Sequence, residues 1–244
     1  MGRASAVLAT RRGAAFVVVA AAVVTWFVVA PHLARLSLWP AILLVSLAII
    51  PGTLLLVLVT LPVCRERWLF PGAVALALIA FGCSEAGLDL EANFAKLAAA
   101  VFAGWAFLAL FEQLSWVVLV ALIIPFVDIL SVWRGPTHSI TQHHFAVYTA
   151  VAIAFLVPGG GAAYLGPPDV LFFALFLAAA YRWNLRVGWT WLATSGMYAV
   201  TVIVATAASV GGLPALPFLS FGFLAANADL LWRRLRRPPS AKPA

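Results

Sequence analysis

Residues 162–181 read AAYLGPPDVLFFALFLAAAY. Asp169 is the one charged group in this stretch, and an unbroken apolar run follows it. Such a run suits hydrocarbon as a helix, so a carboxylate at its start, directly after two prolines, needs a reason. A charged side chain at membrane depth costs about 2.5–3.5 kcal/mol on insertion scales, and groups of this kind face a cavity or a partner.

The rest of the chain repeats the apolar theme. Its 244 residues are 65% hydrophobic and 9% charged. Mean hydropathy is +1.07. Soluble domains are about half apolar and about a quarter charged, so this composition excludes an ordinary soluble fold. Apolar stretches recur at lengths that cross about 30 Å of hydrocarbon as helices. Backbone groups in lipid must pair within their own segment, which makes helix the default. The fold class expected is an all-α polytopic membrane protein. The spans fall near 14–30, 38–63, 67–83, 95–111, 114–133, 167–183, 187–208 and 213–232. The first follows Arg3, Arg11 and Arg12, and its apolar core is longer than that of a signal peptide. It is read as a retained span. The second carries Pro51-Gly52 at its middle and is read as one kinked helix.

The net charge of +7 is distributed as a topology signal rather than as a nucleic-acid surface. Arg3, Arg11, Arg12, Arg65, Arg67, Arg182, Arg186 and the C-terminal basic residues fall on one side of the predicted spans. Arg35, Lys96 and Arg134 fall on the other. By the positive-inside rule both termini are expected in the cytoplasm of a multi-pass cell-membrane protein. Cys64 and Cys83 form no close-spaced motif, so no disulfide framework is expected.

Four parts are expected. Residues 1–136 form an N-terminal membrane bundle. Residues 137–166 form a loop with an apolar segment, 145–157, that suits a strand or an interfacial element and is too short to cross. Residues 167–232 form a C-terminal three-helix part. Residues 233–244 form a basic disordered tail. His138, His143 and His144 cluster without a carboxylate or cysteine, so no metal and no cofactor is expected. TSGMY, around Ser195, lacks a histidine at matching depth. Asp229 is expected to pair with Arg233 at i+4.

Asp128 and Asp169 remain. Asp128 sits in LVALIIPFVDILSVW, about 21 Å along a helix begun at Leu114 and about 8 Å from its end at Trp133. Asp169 lies just inside the following span, which starts from the same side. Successive spans therefore place both carboxylates at one level. Two acids that meet share a proton and titrate as a unit. Such a pair can activate water for attack on a peptide carbonyl, with one member as base and the other as acid. Polar residues that pin helices together would look the same from depth alone.

Three pieces, in order, resemble the presenilin and signal-peptide-peptidase family of intramembrane aspartyl proteases, here as a prokaryotic homologue. LFEQLSWVVLVALIIPFVDILSVWRGP resembles the span with the family's first catalytic aspartate. YLGPPDVLFF stands where the family has GxGD, preceded by AIAFLVPGGGAAYLG. GGLPALPFLSFGF resembles the family's PAL motif opening the last span. The likeness covers about 110–230 and is weaker before that. It implies a presenilin-like helical bundle, for which the family's usual count is nine spans rather than the eight read from hydropathy. It implies Asp128 and Asp169 as the catalytic pair. It also implies Gly166, Pro167, Pro168, Pro214, Ala215, Leu216 and Pro217 as the wall of the active site. The implied partners are transmembrane-helix protein substrates or signal-peptide remnants, within the bilayer and without nucleic acid. Two departures stand out: Val127 where the family has tyrosine, and Pro168 directly before Asp169. Proline suits a helix's first turn.

Other readings stay open from the residues. One is a catalytically inactive presenilin-like protein that grips helices as a binding partner or chaperone. Another is a proton-coupled transporter with the carboxylates as a relay. A third is a prepilin-type aspartyl peptidase.

Overall fold

The computed structural model describes residues 3–134, 145–210 and 213–236. Long helices account for most of it: α1 (Arg3–Val29), α2 (Leu38–Arg65), α3 (Leu69–Glu85), α4 (Asp89–Leu108) and α5 (Leu114–Arg134). A short helix, α6 (Phe145–Val151), leads into strands β1 (Ile153–Leu156) and β2 (Ala162–Leu165). Helices α7 (Pro167–Arg182), α8 (Val187–Ala207) and α9 (Leu216–Leu235) follow. Among the described residues, four segments are long and apolar enough to cross a membrane: Arg11–His32, Leu38–Arg65, Leu114–Trp133 and Val187–Ala207. This is a mainly helical membrane protein.

The centre of the bundle is α7. Every residue from Phe173 to Ala180 is fully buried. A helix apolar on all faces is one buried on all faces, and this explains why residues 170–181 carry no amphipathic stripe. Helix α4 packs closely on α7, while α8 and α9 pair with each other. A Cβ at Gly104 of α4 would collide with the Leu171 carbonyl of α7, so glycine sets that approach.

The kinked second span is borne out as one continuous helical run with an irregular middle. The irregularity lies one turn before Pro51, as a π-helical turn over Val45–Ile49. Pro51 cannot donate to the carbonyl of Leu47 and its ring crowds it, so the ladder widens there.

The loop expected over 137–166, with its strand-like or interfacial segment, holds the two strands of this mainly helical fold. Segment 145–157 divides into a helix and a strand, and β1 pairs antiparallel with β2 in the register Ile153↔Leu165 and Phe155↔Ala163. Gly159, Gly160 and Gly161 turn the hairpin with φ of 76°, 94° and 101°. The outer edge of β1 is taken. Asn93 of α4 accepts from the Ala154 N–H at 2.7 Å and donates to its carbonyl at 3.0 Å. The Trp26 indole donates to the Leu156 carbonyl at 3.2 Å. Side chains of α4 and α1 thus occupy that edge of β1.

One end of the bundle gathers the arginines. Arg65 lies over the Tyr181 ring, and Arg182 donates to the Leu108 carbonyl at 3.2 Å. The pairing expected between Asp229 and Arg233 is replaced by a bidentate pair between Asp229 and Arg186, 2.8 Å on each side. The guanidinium fork matches both carboxylate oxygens, which an i+4 neighbour on the same helix does not. The tail expected to be disordered from 233 continues α9 to Leu235, where Arg234 donates to the Trp183 carbonyl. Residues 237–244 and the three histidines between 137 and 144 lie outside the described residues.

Candidate functional site

Strand β2 runs straight into α7. Gly166 is the N-cap, extended at φ −67° and ψ 146°, with Pro167 at N1, Pro168 at N2 and Asp169 at N3. The first N–H groups of a helix have no partner within it, so prolines lose nothing there. Asp169 turns back, and its Oδ2 accepts the Gly166 N–H at 3.1 Å. A Cβ on Gly166 would stand 3.2 Å from that oxygen. The small residue thus lets the carboxylate fold against its own helix start. GPPD is a rigid helix opening, and this is what the two prolines are for.

Asp128 reaches the site from α5. Pro125, three residues earlier, interrupts that helix's hydrogen-bond ladder. Its side chain crosses to α9, where Oδ2 accepts the Leu216 N–H at 3.0 Å. Leu216 is the first residue of α9, Ala215 is its N-cap, and Pro217 follows at N2. Asp128 therefore caps, from another helix, the amide that PALP exposes. Pro214, Ala215 and Leu216 are buried, and Pro217 is partly so.

The two carboxylates interact electrostatically with each other. Both are partly buried. Each is tied through Oδ2 to an amide at a helix start, one on α7 and one on α9. Asp128, Asp169, Gly166 and Leu216 thus come together, with Pro214, Ala215 and Pro217 beside Leu216. Pro167 and Pro168 set the helix start, and Pro168 is exposed rather than part of a wall.

Sequence reading missed two tyrosines here. Tyr148 of α6 lies within electrostatic range of Asp169, and its ring is 6.3 Å from that of Tyr164. Burial, then the charges of Asp169 and Tyr164, push its phenol up to about 12. Tyr198 of α8 is fully buried and interacts with both carboxylates. It belongs to the TSGMY stretch, whose only visible candidate was Ser195. No polar pattern marks a tyrosine inside an apolar helix as different from core.

A shallow groove lined by Arg186, Trp189, Ala193, Ala225 and Ala226 opens toward the other end of α8. Arg186 is about 18 Å of helix from Tyr198, so that groove is separate from the carboxylates. Among the described residues no group of histidine, cysteine or carboxylate side chains could hold a metal ion. Cys64 and Cys83 are free thiols.

The fold and the site define a helical membrane protein with a carboxylate pair between its helices. No family model, no curated protein and no solved structure matches the chain.

Proposed function

We propose that this protein is an intramembrane aspartyl endopeptidase of the presenilin and signal-peptide-peptidase kind, with Asp128 and Asp169 as its catalytic pair. The observation that supports this reading is that two carboxylates from different helices lie within electrostatic range of each other, one of them held by the Leu216 amide of PALP.

In the reaction, one carboxylate takes a proton from a water lying between the acids, and that water oxygen adds to the scissile carbonyl carbon. The other acid gives its proton to the carbonyl oxygen. The tetrahedral diol then collapses: the C–N bond breaks, the leaving nitrogen takes the proton that the first acid removed from water, and one diol hydroxyl returns its proton to the other carboxylate, so the pair again shares one proton. The substrate is the backbone of a membrane-spanning helix or a signal-peptide remnant, unwound so that a peptide bond is exposed. Released backbone groups need new partners in a dry setting. The hairpin runs directly into Gly166 beside Asp169, and β1 is already edged by Asn93 and Trp26, so β2 is the strand nearest such a substrate. All eight long helices span a cell membrane in this reading, with the arginine-rich end and both termini in the cytoplasm.

A second reading has its own observation. Both aspartates cap helix starts, which a purely structural acid also does. A presenilin-like protein that binds helices without cutting them would keep these caps.

The test is cleavage of a single-span peptide by the detergent-purified protein. Wild type is expected to cut, and Asp128→Asn and Asp169→Asn are expected to be inert. A wild type that binds the peptide and leaves it intact supports the binding reading.

A further inference from the structure

Five buried side-chain polar atoms lack a hydrogen-bond partner among the described residues: Trp105 Nε1, Trp191 Nε1, Ser195 Oγ, Tyr198 OH and Ser220 Oγ. A buried hydroxyl without a partner is expensive, and such groups call for a specific explanation. The Tyr198 hydroxyl, one of the five, lies within electrostatic range of both Asp169 and Asp128.

Its position is fixed by packing. Asp169 and Phe173 are four residues apart on α7 and so share one face. The Phe173 ring lies 6.0 Å from the Tyr198 ring, tilted by 35°. Both rings are fully buried. Tyr198 therefore stands one turn along α7 from Asp169, held on that face by an aromatic neighbour. Other helix hydroxyls in this protein are used locally: Thr194 donates to the Thr190 carbonyl at 2.7 Å and Thr201 to the Met197 carbonyl at 2.8 Å. Tyrosine is too long for that bond. Val127, the neighbour of Asp128 in sequence, is 52% exposed and has no polar group. Each carboxylate accepts one backbone N–H through Oδ2, and the Tyr198 hydroxyl is a buried donor without a partner among the described residues.

We propose that Tyr198 is a positioning residue of the carboxylate pair, its hydroxyl donating to the Asp169 carboxylate, directly or through one trapped water. The proposal rests on the proteolytic reading above. Substrate entry draws the three groups together, as catalytic hydrogen bonds tighten in the working complex. The Gly166 amide holds one Asp169 oxygen and Tyr198 adds a second donor to the carboxylate, so its plane is set for the attacking water. In the resting protein the hydroxyl is held in place by the packing of its ring.

The experiment compares wild type, Tyr198→Phe, Asp128→Asn and Asp169→Asn in one detergent, with a single-span peptide as substrate and thermal unfolding as a second readout. Tyr198→Phe deletes one unpartnered oxygen and keeps the ring. It is expected to lower kcat about a hundredfold, the scale of a misaligned reacting group. KM stays within about twofold, because the tyrosine does not hold substrate. The unfolding midpoint is expected to stay level or to rise, because a buried unpaired hydroxyl is gone. A kcat equal to wild type overturns the proposal. So does a lowered midpoint with a raised KM, which would mark Tyr198 as a pin between helices. The two levels separate cleanly. Cleavage surviving in the aspartate variants, or absent from wild type, defeats the proteolytic reading and this inference with it. Cleavage lost in both aspartate variants and untouched in Tyr198→Phe defeats this inference alone.

Discussion

The Asp128 carboxylate on α5 accepts the backbone N–H of Leu216, the first residue of α9, at 3.0 Å. One bond thus joins a lone acid in an apolar span to a proline-flanked helix start 88 positions away. The acid gains a donor and the helix gains a cap. The same bond fixes the orientation of the Asp128 carboxylate.

That double duty separates by substitution. Asp128→Asn keeps a carbonyl oxygen that can accept the Leu216 N–H, so stability is expected near wild type. Asp128→Ala removes the cap and is expected to cost about 0.5–2 kcal/mol, as losses of helix caps do. Both variants are expected to be inactive. Unfolding in detergent checks the stability difference. Equal midpoints for the two variants would contradict the cap.

Asn93 is the hinge between the helices and the hairpin. Asn93→Ala strands the N–H and carbonyl of Ala154 beside buried Phe155. The expected cost is about 1–3 kcal/mol. Hydrogen exchange of the 153–165 amides is expected to quicken first, since β1 loses its anchor. Exchange unchanged there would show that the hairpin is held by its own pairing.

Gly104 tests the core. A side chain there meets the Leu171 backbone, which is not a movable side-chain tip. Gly104→Val is expected to destabilise by about 1–3 kcal/mol through overpacking between α4 and α7. Gly196 has open space around a would-be Cβ. Gly196→Ala is expected to be neutral or slightly stabilising in a helix interior. Thermal midpoints of both variants check the contrast.

Tyr148 gives an alkaline signature. Its phenol rises from 10.0 to about 12 in the folded protein. The folded state favours the protonated form, so the stabilisation is fully present below pH 10, the unfolded value. It is lost as pH climbs through about 12. Unfolding midpoints are expected to fall across that window in wild type and to fall less in Tyr148→Phe. Identical alkaline profiles would show that Tyr148 does not carry the effect.

The sequence made some of this legible and hid the rest for physical reasons. Hydropathy located the apolar core of each long helix, because about 20 apolar residues in a row have few other folds open to them, while α1 begins at Arg3, well before the expected residue 14. The start of α4 came early, at Asp89, because acids favour a helix N-terminus and read as loop from hydropathy alone. GPPD was readable as a rigid helix start, since proline chemistry is local. The meeting of Asp128 with Leu216 was not readable from spacing, because it depends on how α5 and α9 lean together. Asn93, Tyr148 and Tyr198 were invisible for the same reason. A lone polar residue in an apolar helix shows its partner only in three dimensions. Asp229 misled because an i+4 arginine lay close in sequence while Arg186 lay close in space.

The central claim is that Asp128 and Asp169 share one activated water. A single-span peptide incubated with the purified protein in heavy-oxygen water tests it by mass spectrometry. Wild type is expected to yield two fragments, with the heavy oxygen in the new C-terminal carboxylate, and neither Asp128→Asn nor Asp169→Asn is expected to yield any. Intact peptide with wild type, or labelled fragments from either variant, would contradict the account.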